Sequence, residues 1–474
     1  MEENELKEVI GGKINLEENI KRSVSPYHTV ENVAALYRNE GFKELEAGEA
    51  FLLQPGGKYI VSVYGSTLAA FVIRLPDESG ERPNLRIACS HTDIPTFRLK
   101  PSCGIFTDIG RNRGYLKLNT EVYGGPILNT WMDRPLSIAG RVAVRGRNCF
   151  TPVMISVDFK EPVLTIPNLA IHMNREVNKG IELNRQKDML PLAAAQEHIK
   201  ESLCQELFYE KLLEAVNHQA AVYRNSGMVL EKESFEREDL LDYELFLYQW
   251  ESGCHIGLDS SMYSSPRLDN MTSVYGITAG LLNASAAATE RTGDAEPEQC
   301  GLDIALYFDN EEIGSRTKQG AGSNVLLLLL EKIYGALGKS RQKMINDIFN
   351  GFMLSVDVAH AAHPNAMEKS DITNRVMLNS GIVIKESANQ AYAGDVAAVS
   401  TIKQMCREQD IPYQVFVNRS DMAGGQTLGS ILSSSVPVRT IDIGVPVLAM
   451  HSARELMGAE DQKNLEKLLT VFYS

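Results

Sequence analysis

Short apolar runs alternate with longer amphipathic stretches in the first and last parts of the chain. Residues 85–90, 304–308 and 352–358 have the length and the β-branched or aromatic content of strands. Residues 271–287 and 323–337 carry apolar side chains at helical spacing. This alternation predicts an α/β fold with a mainly parallel sheet and helices on both faces.

The pattern changes in the middle of the chain. Segments 114–120, 137–146 and 153–159 are short, rich in β-branched residues and separated by Gly, Pro and Asn, which is typical of a β-rich region. Residues 188–216 follow and predict a helix that closes the region. We therefore predict one α/β domain, interrupted by an inserted β-rich domain, with the boundaries 1–94 and 251–474 for the first and 95–250 for the second.

Composition excludes several classes of protein. The 474 residues, 44% hydrophobic and 23% charged, are ordinary for a globular chain that is long enough for two domains. The formal net charge is −14 and basic runs are absent, so we expect no nucleic-acid partner. Seven scattered Cys without CxxC spacing indicate neither a disulfide framework nor a thiolate zinc site. The longest aliphatic run, Val325 to Leu330, is far shorter than the ~20 residues of a membrane span, so we expect a cytoplasmic protein without a membrane partner.

Polar side chains follow the apolar runs at their carboxyl ends. In open α/β sheets ligands bind beyond the carboxyl ends of the strands, so such residues are expected to converge at one edge. Nitrogen and oxygen donors without thiolates suit zinc, manganese or cobalt. The residues are His91 and Asp93, Glu311 and Glu312, Asp357 and His360, and His451, with Asp269 just before a predicted helix.

Glu311 and Glu312 are adjacent, and such a pair in a loop is more often solvated surface. A centre with two divalent ions needs a bridging carboxylate, and one further carboxylate must exchange a proton with water. Successive side chains of an extended segment point in opposite directions. One glutamate could therefore coordinate a metal while its neighbour acts as a general base.

Seven motifs occur in order along the chain: SHTD, YGGPILNTWMDRPLSIAGRV, IPNLAIHMNRE, PRLDNM, YFDNEEIGS, SVDVAHAAHPN and LAMHSARE. Together they resemble the M18 family of metalloaminopeptidases, whose best-known members are aspartyl aminopeptidases. The similarity extends from about residue 25 to within a few residues of residue 474. It implies a zinc aminopeptidase-like fold interrupted by a dimerisation domain, and hydrolysis of an N-terminal residue, preferably Asp or Glu, from peptides.

The resemblance also implies roles for individual residues. Glu311 matches the general base of the family, and Asp93 matches the residue that orients the first ligand histidine through its other ring nitrogen. Two divalent ions per subunit are implied, Zn²⁺ with Mn²⁺ or Co²⁺ as alternatives. Their ligands would be His91, Asp269 and Asp357 for one ion, and Asp269, Glu312 and His451 for the other, with Asp269 bridging.

Four further residues match substrate-binding positions of the family. His360, Lys385 and Tyr392 would bind substrate in their own subunit, and His172 would reach the active site of a neighbouring subunit. Without the resemblance, His360 could belong to a turn before Pro364, Lys385 could be solvated, and His172 could be a core or interface residue. Family members form dimers that assemble further into a closed dodecamer, which implies the same homo-oligomer here.

The sequence departs from the family near the expected substrate pocket. Ala391 stands where many members have Arg in a QRYA motif, and residues 420–429 replace a loop that contains Pro. Both changes leave the implied metal ligands in place but affect the expected specificity. The alternatives are an aminopeptidase that prefers neutral residues and a non-catalytic shell or cargo protein of the same fold. The complete ligand set favours an enzyme.

Overall fold

The computed structural model describes residues 14–76, 82–110, 113–197, 201–288, 296–422 and 424–474. Their strands are β1 (Lys43–Glu46), β2 (Lys58–Val63), β3 (Thr67–Arg74), β4 (Leu85–His91), β5 (Thr96–Gly110), β6 (Arg113–Tyr123), β7 (Leu136–Val144), β8 (Val153–Asp158), β9 (Leu192–Glu197), β10 (Leu240–Gln249), β11 (Cys254–Ile256), β12 (Met262–Ser265), β13 (Gly301–Phe308), β14 (Phe352–Val356), β15 (Ala359–His360), β16 (Ile382–Lys385), β17 (Tyr413–Phe416), β18 (Arg439–Gly444), β19 (Pro446–Leu448) and β20 (Glu455–Gly458). Their helices are α1 (Leu16–Arg22), α2 (Pro26–Asn39), α3 (Glu201–Asn225), α4 (Leu268–Ala288), α5 (Val325–Ala336), α6 (Arg341–Asn350), α7 (Val396–Glu408), α8 (Leu428–Ser435) and α9 (Asp461–Tyr473).

The chain divides into two compact units. The first unit consists of Met1–Asp93, Gly253–Met450 and Glu455–Ser474. The second consists of Ile94–Ser252 together with the short segment His451–Arg454. The long middle segment of the chain therefore forms most of a unit of its own, and the first unit is assembled from segments on both sides of it.

A nine-stranded sheet forms the centre of the first unit, in the order β1-β2-β3-β13-β4-β14-β18-β16-β17. Its middle strands β13, β4, β14 and β18 are parallel neighbours. The pairs β2–β3, β3–β13 and β16–β18 are antiparallel, so the sheet is mixed and the prediction of a mainly parallel sheet is not confirmed. One cause is the tight turn between β2 and β3, where Tyr64 and Gly65 have positive φ and reverse the chain.

Helices cover both faces of this sheet. On one face α5 places Val325, Leu329 and Ile333 in a shared core with the strands, at the spacing that aligns side chains on one side of a helix. On the other face the hydroxyl of Tyr307 from β13 lies 2.7 Å from that of Tyr37 in α2 and 2.8 Å from that of Thr278 in α4. The middle strands are therefore buried on both sides, which explains their nearly continuous apolar sequences.

The start of β4 is fixed by a buried ion pair. Nε and Nη2 of Arg86 donate to the two carboxylate oxygens of Asp303 in β13, at 2.7 and 2.8 Å. The same guanidinium donates to the carbonyl oxygens of Phe472 and Tyr473 at the end of α9. This group therefore joins two adjacent strands to the last helix, at the opposite end of β4 from His91.

The second unit is an antiparallel sheet in the order β8-β7-β10-β5-β6-β9, packed against α3. Phe208, Leu212 and Val216 of α3 lie in one core with the strands. The prediction of a helix over 188–216 is wrong in its first part, because residues 192–197 form β9 and the helix begins at Glu201. Pairing of β9 with β6 outweighs the helical preference of its three Ala.

A five-stranded sheet in the order β11-β12-β20-β19-β15 completes the first unit. Its strands β19 and β20 are antiparallel neighbours, and the connection between them contains His451. Within the described ranges, the helices are too short or too polar to cross a membrane.

Candidate metal centre

His91 is the last residue of β4 and is buried in the first unit. Its Nδ1 atom lies 3.0 Å from the carbonyl oxygen of Asp93. A carbonyl oxygen can only accept a hydrogen bond, so Nδ1 carries a proton, and Nε2 faces the other side of the ring. Oδ1 of Asp93 also lies 3.5 Å from Nδ1, so both the main chain and the carboxylate of Asp93 face the ring nitrogen that its predicted orienting role involves.

Three carboxylates surround Nε2 of His91. It lies 3.3 Å from Oδ1 of Asp269, which is at the start of α4, and 3.7 Å from Oδ1 of Asp357, which directly follows β14. Donor atoms of His91, Asp269 and Glu312 all lie within 4.8 Å of one another. The structure therefore brings together four of the five predicted metal ligands, which lie up to 266 residues apart in sequence.

The carboxylate of Asp93 organises the two adjacent glutamates. Its Oδ1 accepts a hydrogen bond from the backbone N–H of Glu311, and its Oδ2 accepts one from the N–H of Glu312, both at 3.0 Å. The glutamates form a short 3₁₀ turn, which Asn310 enters with a left-handed backbone. Asp93 therefore touches His91, Glu311 and Glu312 at once.

The electrostatics of this cluster are dominated by negative charge. Burial lowers the pKa of His91, but the carboxylates of Asp269, Asp357 and Asp93 raise it well above its ordinary value. Burial raises the pKa of Glu311 to about 8, the charge of His91 opposes that rise, and the carboxylates of Asp357, Asp93 and Asp269 add to it. Anionic groups are thus crowded in a volume from which most water is excluded.

The donor set fits a divalent metal. Nε2 of His91 faces the carboxylate oxygens of Asp269 and Asp357 across 3.3 and 3.7 Å, where a metal ion could replace the proton that their negative charges favour on this nitrogen. One imidazole nitrogen and several carboxylate oxygens are ligands that zinc accepts. The hydrogen bond from Nδ1 to Asp93 is the outer contact that typically orients such a histidine.

Lys385 and Tyr392 lie next to this cluster. Lys385 ends β16 and is buried, so it is not the solvated lysine that the sequence also allowed. Its Nζ atom lies 3.7 Å from Oδ2 of Asp357 and 5.4 Å from the centre of the Tyr392 ring. Burial lowers the pKa of Lys385, while Asp357 and Asp442 raise it, and the result is above the ordinary value.

His360 is joined to the same region through an aromatic side chain. Its ring centre lies 6.0 Å from that of Phe416, and Phe416 lies 6.1 Å from Tyr392. His360 is exposed at the end of β15. Three of the four predicted substrate residues are therefore connected by contacts that lead from Lys385 to the surface.

His451 and His172 belong to the second unit. Nδ1 of His451 lies 3.1 Å from the carbonyl oxygen of Gly125, so it must carry the proton, and Nε2 is the nitrogen suited to a metal, as in His91. His172 is exposed in a hydrogen-bonded turn in which the N–H of Met173 donates to the carbonyl of Ala170. Strand pairing ends before this turn, at the isolated bridges of Leu164 and Thr165.

Sequence reasoning missed three residues beside the site. Glu455, which the quoted LAMHSARE motif contains, accepts a hydrogen bond from the N–H of Asp269 at 3.0 Å. Asp442 is fully buried in β18, and a charged residue inside an apolar strand was the signal that could have identified it. Phe416 gave no comparable signal, because an aromatic residue at a strand end is ordinary.

Comparisons with known proteins agree with this geometry. The family model described as Aminopeptidase I zinc metalloprotease (M18) matches residues 19–473. A protein of Clostridium novyi called Probable M18 family aminopeptidase 2 is 40% identical over 459 residues, 96% of each chain. A protein of the same name from Clostridium acetobutylicum is 41% identical over 456 residues, which cover 95% of this chain and 96% of the relative.

A solved structure has a similar fold. The chain from the cryo-EM structure of the Ape4 and Nbr1 complex has a TM-score of 0.85 and 30% identity, over 97% of this chain and 84% of the other. The family match and the two bacterial relatives each extend over nearly the whole sequence. The chain therefore belongs to the M18 family of metalloaminopeptidases, which are peptide-bond hydrolases.

Proposed function

We propose that the chain is a dinuclear aminopeptidase that removes an N-terminal Asp or Glu from peptides. The observation that supports it most directly is the group of buried His91, buried Asp269 and half-buried Glu312, with donor atoms within 4.8 Å of one another. Asp357 adds a fourth donor, 3.7 Å from Nε2 of His91. The family name supports zinc, and Mn²⁺ and Co²⁺ are the alternatives that the same donors accept.

In this proposal His91, Asp269 and Asp357 would hold the first ion, and Asp269, Glu312 and His451 would hold the second, so Asp269 would serve both sites. Divalent ions in such a centre polarise the scissile carbonyl and lower the pKa of water. Glu311 takes a proton from the attacking water and returns it to the leaving amine. The carboxylate of Asp93 holds Glu311 in place by accepting a hydrogen bond from the backbone N–H of Glu311. The carbonyl oxygen of Asp93 keeps His91 in the tautomer that binds metal.

Lys385 is the proposed origin of the acidic preference. Its ammonium group is buried near Asp357, and Tyr392 flanks it, so an acidic side chain entering there would meet a charge that water screens poorly. His360 is proposed to contact the substrate near the pocket entrance. Ala391 and the 420–429 loop are the departures from the family sequence that bear on the strictness of this preference.

We also propose that the active site is completed by a second subunit. The family resemblance assigns the segment 95–250 to dimerisation and His172 to the active site of the partner subunit. His172 is exposed, and its neighbours Leu169, Ile171 and Met173 expose 51%, 52% and 75% of their surface. Apolar exposure of this kind favours burial against another chain. Dimers would then assemble into a closed dodecamer that admits only peptides.

The test combines metal analysis with a substrate panel. The purified protein is stripped with a chelator and reloaded with Zn²⁺, Mn²⁺ or Co²⁺. Metal content is measured by mass spectrometry, and turnover is measured on Asp-, Glu-, Ala- and Leu-p-nitroanilide. We expect two ions per chain, and kcat/KM highest on the Asp or Glu compound.

Each part of the proposal can fail separately. Full activity with one ion per chain would contradict the dinuclear centre. Highest activity on Ala or Leu would contradict the acidic preference and support the neutral aminopeptidase. Absence of turnover with every metal and substrate would support a non-catalytic relative of the family.

A further inference from the structure

Asp442 is a fully buried carboxylate that binds neither a predicted metal ion nor, in the proposed function, the substrate. It lies in β18 between two strands that carry residues of the site. In the register of the sheet its Cα is paired with Ser355 of β14 on one side and with Lys385 of β16 on the other. Ser355 is two residues before Asp357, so Asp442 has neighbours on both the metal side and the pocket side.

Both oxygens of Asp442 have fixed partners. Oδ1 accepts a hydrogen bond from the hydroxyl of Ser355 at 2.5 Å. Oδ2 accepts one from the N–H of Ala393 at 2.6 Å, and the N–H of Asp442 donates to the carbonyl of Ala393 in return. The segment that carries Tyr392 is therefore joined both to the carboxylate and to the main chain of Asp442.

The carboxylate is enclosed as well as bonded. A Cβ atom built on Gly429, in the first turn of α8, would lie 2.9 Å from Oδ2 of Asp442 and 2.6 Å from Cβ of Ser355. Only a residue without a side chain fits so close to the two groups. The carboxylate of Asp442 is therefore closely packed, and its residue stands opposite Lys385 on the neighbouring strand.

A buried lysine needs a counter-charge that is always present. Lys385 has two carboxylates near it, and in the proposed function Asp357 shares its charge with a metal ion. Of these two carboxylates, Asp442 is the one that would not also bind a metal ion, so its charge remains available to Lys385. Burial raises the pKa of Asp442 and the charge of Lys385 opposes that rise, which agrees with their placement on adjacent strands.

We propose that Asp442 is the positioning residue of the specificity pocket. It fixes Lys385 and the segment of Tyr392 and Ala393 so that the pocket accepts an acidic N-terminal side chain. This inference rests on the proposed function, because it assumes that Lys385 meets that side chain. According to this inference, the preference for acidic substrates also depends on the carboxylate of Asp442, which the substrate does not contact.

The test measures selectivity rather than activity. Asp442→Asn keeps the shape of the side chain and removes its charge. The ratio of kcat/KM for Asp-p-nitroanilide to that for Ala-p-nitroanilide should fall about tenfold, mainly through KM for the Asp compound, since hydrogen bonds to charged groups are worth roughly that factor or more. Metal content should remain that of the wild type.

Two further variants separate positioning from general damage. Asp347→Asn is the matched control, because Asp347 is also a buried aspartate but bonds Tyr334 and Lys343, away from the site, and it should leave the ratio unchanged. In a Lys385→Met background, Asp442→Asn should cause no further fall in the ratio, because the proposed effect acts through Lys385.

The outcomes distinguish this inference from the proposed function. A wild-type enzyme without acidic preference overturns both. A wild-type enzyme with acidic preference, combined with equal losses on Asp and Ala compounds in Asp442→Asn, overturns the inference alone. If Asp442→Asn does not fold, Ser355→Ala decides, because it removes one partner of Oδ1: a selective rise of about threefold in KM for the Asp compound supports the inference. An unchanged ratio in Ser355→Ala overturns it.

Discussion

The carboxylate of Asp93 accepts a hydrogen bond from the backbone N–H of Glu311 at 3.0 Å. The proposed general base is therefore held by its main chain, while its side chain remains available for proton transfer. The same carboxylate holds Glu312, and the carbonyl of Asp93 holds Nδ1 of His91. One residue thus positions the base and two proposed metal ligands.

Replacing Asp93 should accordingly impair both metal binding and turnover. Asp93→Ala removes the acceptor for two N–H groups and leaves them without that partner in a buried region. We expect metal affinity to fall about 10- to 100-fold, as is typical for loss of an outer contact. Competition with a metal-binding dye measures the affinity. Asp410→Ala, at an exposed aspartate, is the control, and equal affinities in the two variants would disprove the role of Asp93.

Glu311→Gln should separate chemistry from metal binding. The substitution keeps the size of the side chain and removes the proposed base, so kcat should fall about 10²- to 10⁴-fold while both ions remain bound. His451→Ala is the contrasting variant, because it removes a proposed ligand and should lose one ion per chain. Steady-state kinetics and metal analysis of the same samples provide the check. A kcat within a few-fold of the wild type would show that Glu311 is not the base.

Lys385→Met should alter specificity more than activity. If Lys385 pairs with the acidic side chain of the substrate, kcat/KM for Asp and Glu compounds should fall about 10- to 100-fold, and far less for Ala and Leu compounds. Lys403→Met is a control, since Lys403 lies on α7 and is partly exposed beside Glu386. Equal losses on acidic and neutral substrates would exclude side-chain pairing by Lys385.

The sequence predicted which residues gather around His91 more completely than it predicted the surroundings of that cluster. His91, Glu312 and Asp357 each follow a buried apolar run, and the rule for strand ends in α/β sheets brings such residues together. Asp269 lies at the start of a helix, and its proposed role as a bridging ligand came from the family motif. Whether Asp442 and Phe416 lie beside the site depends on which strands become neighbours. The order of strands in the mixed sheet could not be predicted from local periodicity.

The strand β9 illustrates the same limit. Its Ala-rich sequence favours a helix, and only pairing with β6 makes it a strand. The antiparallel return of β3 likewise depends on a turn of three residues between two strands that are both apolar. Local preference therefore predicted where these elements occur. Long-range pairing determined that β9 is a strand and that β3 is antiparallel.

Asp303→Asn should destabilise the fold without touching the site. It leaves the buried guanidinium of Arg86 without its charged partner, and breaking such a pair typically costs ~3–5 kcal/mol. Thermal and denaturant unfolding should both show the loss, and metal content of the folded protein should be unchanged. Glu244→Gln, in the exposed pair with Arg98, is the matched control and should leave the melting temperature unaltered. Equal melting temperatures for both variants would contradict a structural role of the buried pair.

The last prediction concerns whether active sites are shared between subunits. His172→Ala and Glu311→Gln should each be inactive alone, because one lacks the proposed partner contact to substrate and the other lacks the base. Mixed after dissociation and reassociation, they should regain part of the wild-type activity. In a mixed pair, an intact Glu311 in one subunit can combine with an intact His172 from the other.

Recovery in this experiment has a quantitative limit. If the subunits pair at random in equal amounts, half of the pairs are mixed, and one of the two sites in each mixed pair contains both intact residues. About one quarter of wild-type turnover is therefore expected, which follows from the closed two-fold symmetry of a dimer. Mass spectrometry of differently tagged subunits verifies the exchange. Exchange without recovery would place His172 in the site of its own subunit or outside catalysis, because only a site built from two chains can be repaired by mixing.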